Sequence, residues 1–276
     1  MASKKKINIE KNQFNQKKIN HIFHYTNNFE VILKILNNGF IPSYCEEKIN
    51  DIEYYIPMVS FCNIPLRDVD LYMRYGKHGI GMSLNWALKN SISPVIYIHE
   101  NTPFRDFNKN INLIFLNNMM KQLFNNQPFS NLENNFNENI EGHTENSKKI
   151  STVNISLIQF FKNWKTYYKE NEIITYQERE WRFIPELENE KKIFNKYDNE
   201  FNQIKNNEFR EKPHLPKYSV KLNDINDIRY IIINNENQRN ILLNVLNKKF
   251  GSDKVIDSIL SGNLMIINDK FIHDDF

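Results

Sequence analysis

Apolar positions recur at two periods along the chain, and the switches between them mark out its elements. Ile22-Phe23-His24-Tyr25-Thr26 reads as extended, and Asn27 or Asn28 then offers a helix N-cap. Phe29, Ile32, Leu33 and Leu36 follow at the spacing of one helix face, Gly39 supplies the exit, and Phe40-Ile41-Pro42 leaves extended. Met58-Val59-Ser60-Phe61-Cys62, bounded by Pro57 and Pro65, predicts a short buried strand. Gly76, Gly79 and Gly81 crowd the segment that runs to Leu84 and predict a tight turn of backbone beside a ligand or another strand. A helix around Trp86 to Lys89 and a strand at Pro94 to Ile98 come next.

From Ile111 to Phe124 the spacing is helical, whereas Asn125 to Lys149 is polar and nearly featureless; helical period resumes from Ile155 to Tyr168. Ile173 to Pro185 predicts a turn into a strand, and residues 186–212 a charged surface excursion. Strand patterns at 218–222, 228–233 and 264–267, with a helix near Gln238 to Lys248, complete the chain. Strands scattered between helices, with neither a regular βαβ repeat nor an internal period, predict an α+β fold. The expected organisation is one domain over 1–276, with polar insertions at about 105–150 and 186–212.

Composition narrows the function classes. Hydrophobic residues make up 40% and aromatics 13% of the chain, enough to build a core and to exclude disorder throughout. The net charge is +3, and apart from Lys4-Lys5-Lys6 the cations are dispersed, so no basic block announces a nucleic-acid surface. Cys45 and Cys62 form no CxxC pair and suit a reducing compartment. No apolar stretch approaches the length of a membrane span and none follows the N-terminal lysines, so the cytoplasm is the expected location. The seven histidines have no ligand-like spacing with one another or with the cysteines, and no metal is expected. Neither a GxGxxG turn, a phosphate loop nor a nucleophile elbow is present.

Candidate chemistry lies in two places. If residues 178–183 are extended, Glu178, Glu180 and Arg182 share one face, about 6.5–7 Å apart along the strand, and Trp181 and Phe183 take the other. Two carboxylates then address one ligand and Arg182 holds one of them; a solvated run of alternating charges is the competing reading. His24 shares its face with Ile22 and Thr26, where it either lines a cleft or serves as a satisfied structural histidine.

Three segments together carry a resemblance: His24-Tyr25-Thr26 with its helix and Gly39, Val59-Ser60-Phe61-Cys62-Asn63-Ile64-Pro65-Leu66, and Tyr176-Gln177-Glu178-Arg179-Glu180-Trp181-Arg182-Phe183-Ile184-Pro185. With Tyr75 to Leu84 and the closing Asp274-Asp275-Phe276, the chain resembles the AbiGi abortive phage-resistance family. More distantly it is similar to the ADP-ribosyltransferase superfamily, including DarT toxins. That likeness implies a split mixed β-sheet core with flanking helices and helical insertions. It also implies NAD as substrate, with ADP-ribose transferred to a macromolecular acceptor or released by hydrolysis. In those terms Glu180 and His24 are catalytic, and His24, Tyr25, Thr26, Ser60, Phe61, Arg67 and Arg74 contact NAD. Glu178 and Arg182 orient the acceptor. Loss of nicotinamide passes through an oxocarbenium-like state that a carboxylate stabilises, which is why a Glu is required. Ser60 stands in Val-Ser-Phe where the superfamily often keeps Ser-Thr-Ser or Tyr. The alternative expectation is a non-catalytic member that binds a nucleotide or a neighbouring abortive-infection protein as sensor or antitoxin. A nucleic-acid-cleaving toxin is the third, disfavoured because no metal or His-Lys-Arg constellation emerges from the spacing.

Overall fold

In a computed structural model, residues 19–49, 52–66, 68, 75–102, 155–168, 170–196, 198–206 and 213–275 are described. The chain opens with strand β1 (His21–Thr26) and helix α1 (Phe29–Asn38). The Asn28 side chain accepts from the Glu30 N–H at the start of α1, as an N-cap should, and Phe29, Ile32, Ile35 and Leu36 face the core. Gly39 ends the helix at φ 81°, where a Cβ would lie 2.3 Å from the Val220 carbonyl oxygen, so only glycine fits.

Strand β2 (Ser43–Ile49) pairs antiparallel along its whole length with the first part of β3 (Ile52–Cys62). β3 is longer than the Met58 to Cys62 run predicted, and Pro57 lies inside it, opposite Tyr44. It is tolerated because the strand changes partners there: residues 52–58 pair with β2, and residues 59–62 with a later strand.

β4 (His78–Ser83) replaces the tight turn expected at Gly76 to Gly81 with a wholly buried strand. Its glycines make room instead for aromatic neighbours. A Cβ on Gly79 would come within 3.0 Å of the Tyr25 ring, and one on Gly81 within 2.7 Å of the Phe23 ring. Helix α2 (Leu84–Lys89), capped by Ser83, leads to β5 (Ser93–Pro94) and β6 (Ile96–Ile98). The predicted helix at 111–124 and the polar stretch 125–149 lie outside the described residues.

Helical structure at 155–160 stops short of the stretch predicted to run to Tyr168. It gives way to β7 (Phe161–Asn163), parallel to β6, and to the hairpin β8 (Lys165–Tyr168) and β9 (Asn171–Ile174). A 3-10 turn over Thr175–Glu178 and Arg179 in the left-handed region then deliver β10 (Glu180–Phe183). Glu178 is thus not on the strand as expected.

The charged stretch 186–212 is more than a surface excursion. It contributes β11 (Phe194–Asn195), which pairs with β3, and helix α3 (Asn199–Lys205), whose Phe201 and Ile204 pack with Tyr44, Tyr55 and Phe194. Residues 218–222, predicted as a strand, make only the end of a 3-10 turn and a bridge from Val220 to Phe40. β12 (Ile228–Ile233), α4 (Asn237–Phe250), α5 (Ser252–Leu260), β13 (Met265–Asn268) and α6 (Asp269–Asp275) follow.

The main sheet runs in the order β13-β12-β4-β1-β3-β10-β5, with β2 and β11 attached to β3. β12 and β13 are parallel and the other pairs in this sheet antiparallel, so the fold is α+β with a mixed sheet. Both faces of β3 are covered. Its odd positions Val59 and Phe61 join a large core with α1, α2 and α4, including Ile32, Leu36, Trp86, Leu242 and Leu246. Its even positions Tyr54, Ile56 and Met58 join a second core with Ile98, Ile158 and Phe161. Among the described residues no helix is long and apolar enough to cross a membrane.

Candidate functional site

Antiparallel partners point to the same face of a sheet, so register decides which side chains meet. Glu180 stands opposite Cys62 and Arg182 opposite Ser60. These four therefore share the face of the smaller core, and Trp181 and Phe183 turn to the large core as predicted. What was not predicted is that the charged face is the more deeply buried: Glu180 is 4% exposed and Arg182 fully buried, which excludes a solvated charge run.

Burial of ions requires pairing, and here it is complete. Glu180 Oε1 accepts from Arg182 Nε at 2.7 Å and from Ser60 Oγ at 2.9 Å. Its Oε2 accepts from Lys162 Nζ at 2.5 Å and from Arg182 Nη2 at 3.4 Å. Arg182 extends the network to Glu47 at 2.7 Å and donates to the backbone carbonyls of Gln159 and Phe161. Lys162 also lies 3.3 Å from Glu178, which accepts from the Tyr75 hydroxyl. The Glu180 N–H donates to Tyr97 Oη at 2.8 Å.

Burial by itself would push the Glu180 carboxyl up, but the Arg182 guanidinium and Lys162 ammonium outweigh it and hold the group down at about 2. Arg182 and Lys162 are raised in return: desolvation opposes their charge, and Glu180 and Glu47 overcome it. Glu180 is thus an anion at neutral pH whose roughly four acceptor positions are all engaged. A ribose hydroxyl has no vacant lone pair to meet.

His24 is elsewhere. Phe23 pairs with Cys62, so the next residue points to the opposite face, and the His24 ring packs edge-on against Phe40 and Phe61 at 5.5 and 5.8 Å. Both rings belong to the large core. The expected meeting of His24 and Glu180 across one hollow does not occur; the sheet lies between them. Ser60 links them: its carbonyl accepts from His24 Nδ1 at 2.9 Å and its hydroxyl donates to Glu180. Since a carbonyl only accepts, Nδ1 carries the proton. Burial lowers the His24 pKa, against a smaller opposing effect of that hydrogen bond. His24 thus donates to a backbone carbonyl and packs among aromatic rings on the face turned away from Glu180.

The other candidates are dispersed. Tyr25 stacks on Phe23, Thr26 Oγ accepts from the Asn28 N–H, and Phe61 is 1% exposed and unable to stack on a ligand. Arg67 and Arg74 lie outside the described residues. Glu178 and Arg182 do join Glu180, though through Lys162 and not along a continuous strand. Lys162, Glu47 and Tyr97 were missed. One cue existed: two acids beside one arginine on a buried element leave a charge that a second cation must balance. Among the described residues no group of His, Cys, Asp and Glu side chains is placed to hold a metal ion.

The sequence matches, over residues 38–234, the family described as abortive phage resistance protein AbiGi, antitoxin. That span contains the whole ionic network and excludes His24. The abortive phage resistance protein AbiGi of Lactococcus lactis subsp. cremoris is 25% identical over 230 residues, covering 76% of this chain and 88% of the relative. No solved structure matches the chain. With more than half its length matched, the chain belongs to the AbiGi family of abortive phage resistance proteins.

Proposed function

We propose that this chain acts as the antitoxin of an abortive phage-resistance system, restraining a neighbouring toxic protein by binding it and without chemistry of its own. The observation that carries this reading is the saturation of Glu180: its carboxylate is committed to Arg182, Lys162 and Ser60, with His24 on the far side of the sheet. A catalytic carboxylate needs an open position toward substrate; this one is built as a structural ion. The family description as an antitoxin supports the same conclusion.

A second reading keeps NAD as substrate and an ADP-ribosyltransferase-like fold. One observation favours it: Ser60 and Glu180, paired by the resemblance alone, are hydrogen-bonded at 2.9 Å. In that reading Lys162 has to leave Glu180 to admit the nicotinamide ribose. Its acceptor is a protein or nucleic acid.

Deleting the gene from its locus while keeping its neighbours is expected to arrest growth, with recovery when the chain is supplied in trans. A deletion strain that grows normally overturns the antitoxin reading. Purified protein is expected to release no nicotinamide from NAD in an assay where a known transferase does. Release that disappears in a folded Glu180→Gln variant would establish the second reading instead.

A further inference from the structure

The hairpin of β8 and β9 stands outside the main sheet, and among the described residues its strands pair only with each other. Two strands alone are marginal in water unless something covers them. Here little does: Lys165, Thr166 and Tyr167 of β8 and Asn171, Glu172 and Ile174 of β9 are exposed, Tyr167 by 72%. Tyr167 and Ile174 share one face of the hairpin. At its base Trp164 stacks on Tyr176 with ring centroids 4.6 Å apart, and both rings are open to solvent.

The backbone shows which edge is free. The Thr175 N–H donates to the Trp164 carbonyl at 2.9 Å, so that pair is hydrogen-bonded and, by alternation, so is Thr166 with Ile173. The N–H and C=O groups of Lys165, Tyr167, Glu172 and Ile174 therefore point out of the hairpin. On the β8 side the chain that follows β6 runs alongside: the parallel register that sets Ile98 against Asn163 carries on to bring Glu100 beside Lys165. On the β9 side no described strand lies against Glu172 and Ile174.

We infer that β9 is a docking edge for a partner protein, which adds an extended strand along residues 172–174 and lays apolar side chains against Tyr167, Ile174, Trp164 and Tyr176. The inference rests on the antitoxin reading, and the partner is the toxic protein that this chain restrains. Outward backbone donors and acceptors at strand spacing select an extended polypeptide, and tyrosine and tryptophan are the side chains that carry most of the affinity in protein contacts. The charge of the described hairpin does not favour a nucleic-acid strand, since Lys165 is bridged to Glu172 at 2.8 Å and the exposed Glu170 adds negative charge beside it.

Ile174→Pro removes one outward N–H and fits the backbone, because Ile174 already has φ −86° and its N–H is not in the ladder. Tyr167→Ser removes the most exposed ring among the described residues. Both variants are expected to keep the melting temperature of the wild type. Affinity of the full chain for the purified product of each adjacent gene, measured by biolayer interferometry, is read beside growth rescue of the deletion strain. One product is expected to bind the wild type; each variant weakens it about tenfold and rescues poorly, whereas Leu88→Ser, at a similarly exposed position on α2, changes neither. Variants that bind and rescue like the wild type overturn the docking edge and leave the antitoxin reading standing. A wild-type chain that binds no adjacent product and does not rescue overturns both. A wild-type dimer that both variants turn into monomers would give the edge to a second copy of this chain and overturn the partner.

Discussion

Arg182 holds together more of the molecule than any other single side chain described. It is fully buried, contacts two carboxylates and two backbone carbonyls, and has no route to water. Arg182→Met is expected to destabilise the protein by about 3–5 kcal/mol, because buried Glu180 and half-buried Glu47 would lose their shared cation. Lys162→Met should cost less, since Glu180 keeps Arg182. Urea unfolding followed by tryptophan fluorescence measures both; a loss below about 1 kcal/mol for Arg182→Met would mean that water reaches the site. At this scale the sequence revealed half the network. Glu178, Glu180 and Arg182 are adjacent and their types suggest pairing, but Lys162 and Glu47 arrive from β7 and β2, and nothing local announces them. His24 was legible as a strand residue with two readings, a cleft or a structural position, because alternation along a strand does not say which face is open.

Elements whose cause is local were readable. β1, the Asn28 cap, α1 and Gly39 follow from periodicity, capping and one backbone angle. The failures share a cause, in that long-range pairing overrode local signals. Glycines that suggest a turn at Gly79 and Gly81 serve instead as clearance in a central strand, and Pro57 is carried inside β3 by its change of partner. Gly81→Ala is expected to destabilise by about 1–3 kcal/mol, since a Cβ would sit 2.7 Å from the Phe23 ring and 3.0 Å from Tyr230. The same urea assay reads it, and an unchanged midpoint would show that Phe23 can move aside. The segment 155–168 misled because a helix that ends at residue 160 and two short strands share apolar spacing too brief to separate.

Over the whole molecule, buried titratable groups link stability to acidity. His21 and His24 are lowered from 6.5 by burial, so the unfolded chain binds their protons more readily than the folded one. Their contribution is full above pH 6.5 and is lost as pH falls below it. Glu180, held at about 2 against an ordinary 4.5, adds stability above pH 4.5 that disappears toward pH 2. Thermal melts are expected to decline in two stages, one starting near pH 6.5 and the next below pH 4.5. A melting temperature that stays flat from pH 7.5 to 5 would show that the imidazoles accept protons without opening the core.

β3 is a party wall between two interiors. Mutations at its even positions are felt by one side and those at its odd positions by the other, so hardly any residue in it can drift to suit a new partner. Evolutionary adjustment of recognition is therefore confined to the rim, in strands such as β13 and in the outward sides of α4 and α5, where Ile241, Ile256, Leu260 and Met265 already stand exposed.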